Sequence, residues 1–181
     1  MRFIAIGPGF GNAPENAQII GEIVQKHSNC ILDADGVSVF HDQLEVLGRI
    51  TGLETVLTPH AGEFTRIFPG NPANTGEDKL SRTLAAAARF HATIVHKGYD
   101  TVIAGADGRA IINANGSPYL ATAGTGDVLA GLIGGLRAQQ MPAYEAAAAG
   151  VWLHADAAHR AGPGLIADDL PDFIPLAIRH C

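Results

Sequence analysis

Short apolar runs alternate with longer amphipathic stretches along this 181-residue chain. Residues 2–6 are apolar with little alternation and stop at Gly7-Pro8-Gly9, which predicts a buried parallel strand. Residues 14–27 carry a helical period, with Pro14 near the first turn and Ile19, Ile20, Ile23 and Val24 expected to face inward. A second strand is expected over residues 30–32, ending at Asp33-Ala34-Asp35-Gly36, and a third over 54–57, stopped by Thr58-Pro59. Residues 76–90 read as a helix with Leu80, Leu84 and Ala88 on one face. Three strand-like pieces follow at 92–96, 101–104 and 110–113, and Asp107-Gly108 supplies a hairpin turn between the last two. From Thr125 the pattern becomes Ala-rich helix, punctuated by Pro142 and by Gly162-Pro163-Gly164.

A βαβ alternation followed by an antiparallel edge and terminal helices predicts an α/β fold: a doubly wound, mostly parallel sheet with antiparallel edge strands. A single domain over residues 1–181 is expected, without repeats or linkers. The opening is unusual, because the chain starts on a strand that should be central. Either the sheet is small, or strands that precede it lie in a region outside this sequence.

Composition narrows the chemistry. The chain is 47% hydrophobic and 17% charged, ordinary for a folded enzyme and unlike a disordered segment. A net charge of −6 leaves no basic stripe for nucleic acid. Phosphate groups would have to be held by backbone N–H groups and helix N-termini. Cys30 and Cys181 form neither a disulfide framework nor a zinc pattern, and His91, His96, His154 and His159 show no metal-ligand spacing. The start lacks signal-peptide anatomy, and the longest apolar run, 128–136, is far below the ~20 residues that span a bilayer. The expectation is a cytoplasmic protein without membrane contact.

The segment Ala121-Thr122-Ala123-Gly124-Thr125-Gly126-Asp127 precedes a helix over 128–139. Small residues there let the backbone approach a phosphate, with the helix dipole behind the first N–H groups. Asp127 would repel an anion, so it reads either as a helix cap or as a base that takes a proton from a hydroxyl attacking a phosphate.

Gly7-Pro8-Gly9-Phe10-Gly11, Leu32-Asp33-Ala34-Asp35, Thr58-Pro59-His60-Ala61-Gly62-Glu63-Phe64, Lys97-Gly98-Tyr99-Asp100-Thr101 and Thr125-Gly126-Asp127 follow one another along the chain, and together they resemble the ADP- or ATP-dependent NAD(P)H-hydrate dehydratase family of ribokinase-like enzymes. Thr125-Gly126-Asp127 resembles the anion-hole and base motif of the ribokinase superfamily, and Thr58-Pro59-His60-Ala61-Gly62-Glu63-Phe64 the family's Thr-Pro-His-Pro-Gly-Glu segment. Gly7-Pro8-Gly9-Phe10-Gly11, Leu32-Asp33-Ala34-Asp35 and Lys97-Gly98-Tyr99-Asp100-Thr101 are similar to further family segments, in the family's order. The tail Gly150-Val151-Trp152-Leu153-His154, then 164–170, fits too. The resemblance implies that Asp127 and His60 contact a hydrated nicotinamide nucleotide, with Gly11 lining the same site. It implies that Lys97, Gly98, Tyr99, Asp100 and Thr101, with Gly124, Thr125 and Gly126, hold an adenine nucleotide, ADP or ATP, with Mg2+. It also implies a homo-oligomer, and a preceding region that supplies part of the substrate pocket.

Each residue has a plainer reading. His60 can satisfy loop backbone, and Lys97 can be a solvated strand end. Glu63 can cap the helix it enters, or place magnesium through water. Asp33 and Asp35 should point to opposite faces if the strand continues past them. His154 and residues 156–159 sit on a terminal amphipathic helix, where a structural role carries most weight. This chain also departs from the family at Ala61, at Ala123 and at Tyr99-Asp100, the last bringing a negative charge near the nucleotide.

The expected reaction is nucleotide-dependent: Asp127 deprotonates the ring hydroxyl of hydrated NADH or NADPH, a phosphoryl group is transferred, and loss of phosphate restores the ring. A kinase acting on a vitamin-precursor or sugar hydroxyl would use Asp127 identically. A non-catalytic nucleotide-binding or assembly subunit is the third reading.

Overall fold

The computed structural model describes residues 3–69 and 77–179. Six strands form one sheet in sequence order: β1 (Ile4–Ile6), β2 (Cys30–Leu32), β3 (Val56–Leu57), β4 (Thr93–His96), β5 (Val102–Ala104) and β6 (Ala110–Ile112). The first four pair in parallel, and β4, β5 and β6 are antiparallel. Parallel neighbours need crossovers, which helices supply. They are α1 (Pro14–Lys26), α2 (Asp35–Ser38) with α3 (Leu44–Ile50), and α4 (Ala61–Ile67) with α5 (Lys79–Phe90). The antiparallel hairpin turns at Gly108, and the chain ends in α6 (Thr125–Ala138), α7 (Ala143–Ala161) and α8 (Leu170–Ile178). The expected fold class is the one observed.

Side chains alternate across each strand, so an apolar run feeds two cores at once. Cys30, Leu32, Leu57, Ile94 and Ala104 face one side, where Ile20, Val24, Leu47, Phe64 and Phe90 from the crossover helices cover them. Ile31, Val56, Val95 and Ile103 face the other, against Leu129, Ile133, Ala147 and Val151 of α6 and α7. The result is a sheet between two helical layers. No helix among the described residues is long and apolar enough to cross a membrane.

Several expectations shift. Among the described residues β1 pairs with β2 alone and Ala5 is exposed, so β1 stands at an edge of the six strands. Ile19 points to solvent, while Ala17, Ile20, Gly21 and Val24 form the inner face of α1. The buried face of α5 is Arg82, Thr83, Ala86, Ala87 and Phe90, and Ala88 is exposed. Apolarity misplaced that face because two polar residues on it find partners: Arg82 lies 5.2 Å from the Phe64 ring centroid, and the Thr83 hydroxyl meets Lys79 O and His96 Nδ1. The short helices α2 and α3 add to the expected elements. Arg2, Gly76 and Cys181, parts of the expectations above, lie outside the described residues.

Candidate active site

Gly7, Asp33, Thr58 and Lys97 are each the first residue past β1, β2, β3 and β4. They share the carboxyl edge of the parallel strands, the edge where doubly wound sheets bind ligands. The backbone closes tightly there. A Cβ on Gly7 would lie 2.3 Å from Asp33 O, and one on Gly36 2.5 Å from Ile6 O, so only glycine fits at either place.

Asp33 is buried, 2% exposed, and its Oδ1 accepts from Thr58 Oγ1 at 2.6 Å and from Lys97 Nζ at 2.7 Å. Asp35 turns the other way: Oδ2 accepts from Gly11 N at 2.9 Å and Oδ1 from the Asn12 amide at 3.1 Å, pinning the Gly-rich loop. The two carboxylates part as expected, but the cause is a sharp bend at Ala34 (φ 46°) that starts α2, not strand alternation.

The N-terminus of α6 points at the same edge. Gly124, the residue before its first turn, has φ 87°, a left-handed conformation that favours glycine. The Thr125 hydroxyl contacts Leu120 O at 2.9 Å and Thr122 O at 3.0 Å, fixing the loop before the helix. Among the described residues the backbone N–H groups of Thr125 and Gly126 meet no acceptor, which leaves them for an anion. A Cβ on Gly126 would be 3.4 Å from Lys97 Nζ, so the ammonium stands beside these donors.

Two cavities meet at this point. One, of about 330 Å³, is lined by Lys97, Gly98, Tyr99, Thr101, Thr125 and Gly126, together with Asn113, Ser117 and His154. The other, about 290 Å³, runs along Ile6, Gly7 and Pro8 to Asp33 and Asp127. Consecutive residues Gly126 and Asp127 thus face different cavities. Asp127 is exposed. Asp100 is not in the wall of the larger cavity. Lys79 Nζ, which bonds its carboxylate at 2.7 Å and its carbonyl at 3.0 Å, draws it aside and holds its carboxyl below the ordinary carboxylate range. The turn itself is tied by Thr101 Oγ1 donating to Gly98 O at 2.8 Å.

His60 lines neither cavity. It caps α4: Nδ1 accepts from Gly62 N at 3.0 Å and Glu63 N at 3.4 Å, so that nitrogen carries no proton. Nε2 then bears the hydrogen and lies 3.2 Å from Glu63 Oε1, while Glu63 Oε2 accepts from His60 N at 2.8 Å. Both oxygens of the buried Glu63 are engaged by one residue, the capping alternative read from the sequence. The His60 ring remains 57% exposed.

His154, given a structural reading above, belongs to the wall of the larger cavity. Burial first, and the Lys97 charge, push it down to about 4, against a bond to the Thr125 backbone that pulls upward. It is therefore a neutral imidazole beneath the first turn of α6. Asp33, Thr58 and Lys79 are the site residues that sequence reasoning left unassigned.

Such an arrangement can hold a phosphate chain on N–H groups and one ammonium in a cavity walled without carboxylates, with a free carboxylate just across the partition.

The family model for NAD(P)H-hydrate dehydratase matches residues 1–173. A bifunctional NAD(P)H-hydrate repair enzyme of Moorella thermoacetica is 37% identical over 98% of this chain and 34% of its own length. An ADP-dependent (S)-NAD(P)H-hydrate dehydratase of Neisseria meningitidis is 36% identical over 84% of this chain and 53% of its own. The crystal structure of the ADP/ATP-dependent NAD(P)H-hydrate dehydratase of Bacillus subtilis, co-crystallised with ATP/Mg2+, superposes with a TM-score of 0.83 at 28% identity, over 99% of this chain and 66% of that one. The chain spans between a third and two thirds of the length of these proteins.

Proposed function

Because the chain belongs to the NAD(P)H-hydrate dehydratase family, we propose that it uses ADP or ATP to dehydrate hydrated NADH or NADPH, the larger cavity taking the nucleotide and the smaller one the damaged ring. The observation that carries this reading is the division between Gly126 and Asp127: phosphate donors face one cavity and an exposed carboxylate faces the next.

Asp127 accepts the proton of the ring hydroxyl as that oxygen bonds the terminal phosphorus, and the bond from phosphorus to the nucleotide breaks. The N–H groups of Thr125 and Gly126, with Lys97, offset the charge gathered on the phosphoryl oxygens. The ring carbon–oxygen bond then breaks, phosphate departs with the electron pair, and a neighbouring ring carbon gives up a proton to restore the dihydropyridine. Hydroxide is a poor leaving group and phosphate a good one.

Among the described residues no three His, Cys, Asp or Glu side chains cluster to cage an ion. Magnesium keeps its waters and binds mainly through phosphates, and from this chain it would take the open carboxylate of Asp127 in the cavity wall. When bound it would spread the phosphate charge. The exposed Ile111 and Ile112 on the open edge of β6 support self-association, which light scattering would test.

Incubating the chain with hydrated NADH, magnesium and ADP or ATP should restore NADH absorbance. Nucleotide-dependent phosphorylation of a sugar or vitamin-precursor alcohol without repair would replace this reading by the kinase. Nucleotide binding without any turnover would leave a binding subunit.

A further inference from the structure

Asp33 is the most buried acidic residue described, and the reaction above gives it no task. A carboxylate taken out of water loses more than a single partner returns, so this pairing is poor evidence of a stabilising role. Its surroundings point elsewhere. Two donors converge on one oxygen, Thr58 Oγ1 and Lys97 Nζ, from the ends of the two following strands. The Asp33 backbone is itself immobilised, because its carbonyl abuts Gly7 and Asp33 N donates to Ile6 O at 2.9 Å. Asp33 lies in the wall of the smaller cavity and Lys97 in that of the larger, so their ion pair forms part of the partition between them.

Lysine is a point charge on a stem with four rotatable bonds, and an ammonium left loose would spread over many positions. Asp33 uses one of its three donors. Among the described residues the other two have no acceptor, and they lie next to Gly126. We propose that Asp33, held by Thr58, is a positioning residue that fixes Lys97 in the partition so that its remaining donors meet the phosphate chain at the mouth of α6. The proposal rests on the larger cavity being the nucleotide site.

The test is a mutant cycle on the full chain, with magnesium ATP and adenosine as probes in calorimetry. Asp33→Asn should weaken ATP roughly fivefold or more and leave adenosine unchanged within about twofold. Lys97→Met should do the same, and the double variant should be no worse than Lys97→Met alone. Thr58→Val, which leaves the ion pair intact, should give a smaller loss for ATP that also vanishes in the Lys97→Met background, and serves if Asp33→Asn does not fold. Equal losses for ATP and adenosine, full additivity, or tighter ATP binding in Asp33→Asn would overturn the proposal. The repair assay separates the two readings: wild-type chain that binds ATP but restores no NADH defeats the dehydratase while leaving this cycle to decide on Asp33.

Discussion

His96 lies face to face with Phe64, ring centroids 3.9 Å apart and planes 7° from parallel. The imidazole closes the end of β4 against α4, and Thr83 from α5 meets its Nδ1 at 3.1 Å. Burial, then the nearby Lys79 and Arg82 charges, push it down to about 4 from the ordinary 6.5.

Stability should therefore depend on pH through His96 and His154 together. Both are neutral in the folded protein down to about 4, whereas an unfolded histidine takes up a proton near 6.5. Unfolding binds protons across that window, so the stabilisation is complete above about 6.5 and disappears as pH falls toward 4. Each histidine contributes on the order of 3 kcal/mol at most. Urea denaturation at several pH values should show the decline, and His96→Phe, which keeps the stack, should flatten it. An unchanged slope in that variant would remove His96 from the account.

Asp127→Asn should bind nucleotide normally and lose turnover by roughly 100-fold or more, the effect of removing a general base. The carboxylate is exposed and faces the smaller cavity, so its loss costs the fold little. Turnover near the wild-type value would leave Asp127 a first-turn acidic residue of α6 with no part in the chemistry.

His60→Ala removes the acceptor for two N–H groups of α4 and should cost about 1 kcal/mol. If the exposed ring also meets the damaged nicotinamide, the Michaelis constant for hydrated NADH rises while nucleotide affinity holds. A stability loss with unaltered kinetics confines His60 to the cap.

Lys79→Met should expose the charge of Asp100 beside the nucleotide turn and weaken ATP severalfold, and adding Asp100→Asn should recover most of the loss. Failure of the second change to rescue would mean that Lys79 acts through the shape of the turn at Gly98 rather than through charge.

Strand positions were legible because a strand buried on both faces must be apolar throughout, and Cys30–Leu32 and Val102–Ala104 are. The Gly-rich turn into α6 was legible because an anion site built from backbone needs small residues in a local pattern. The Asp33–Lys97 pair was not, since 64 residues separate its members and nothing local to either names the other. The inner face of α5 was missed for a related reason. Arg82 is buried by a ring on α4 and by Phe68 O, partners that no period within α5 reveals.

Gly7 and Gly36 press backbone against backbone where β1 ends and α2 begins. Neither carries out a chemical step of the proposed reaction, yet every coding change at a glycine codon that alters the amino acid adds at least one carbon at the Cα. A saturation library selected only for soluble expression, blind to catalysis, should therefore return wild type at these two codons while accepting replacements at Asp127. These two positions are closed to drift by the crossing of two stretches of main chain, and descent can explore the chemistry around them far more freely than the crossing itself.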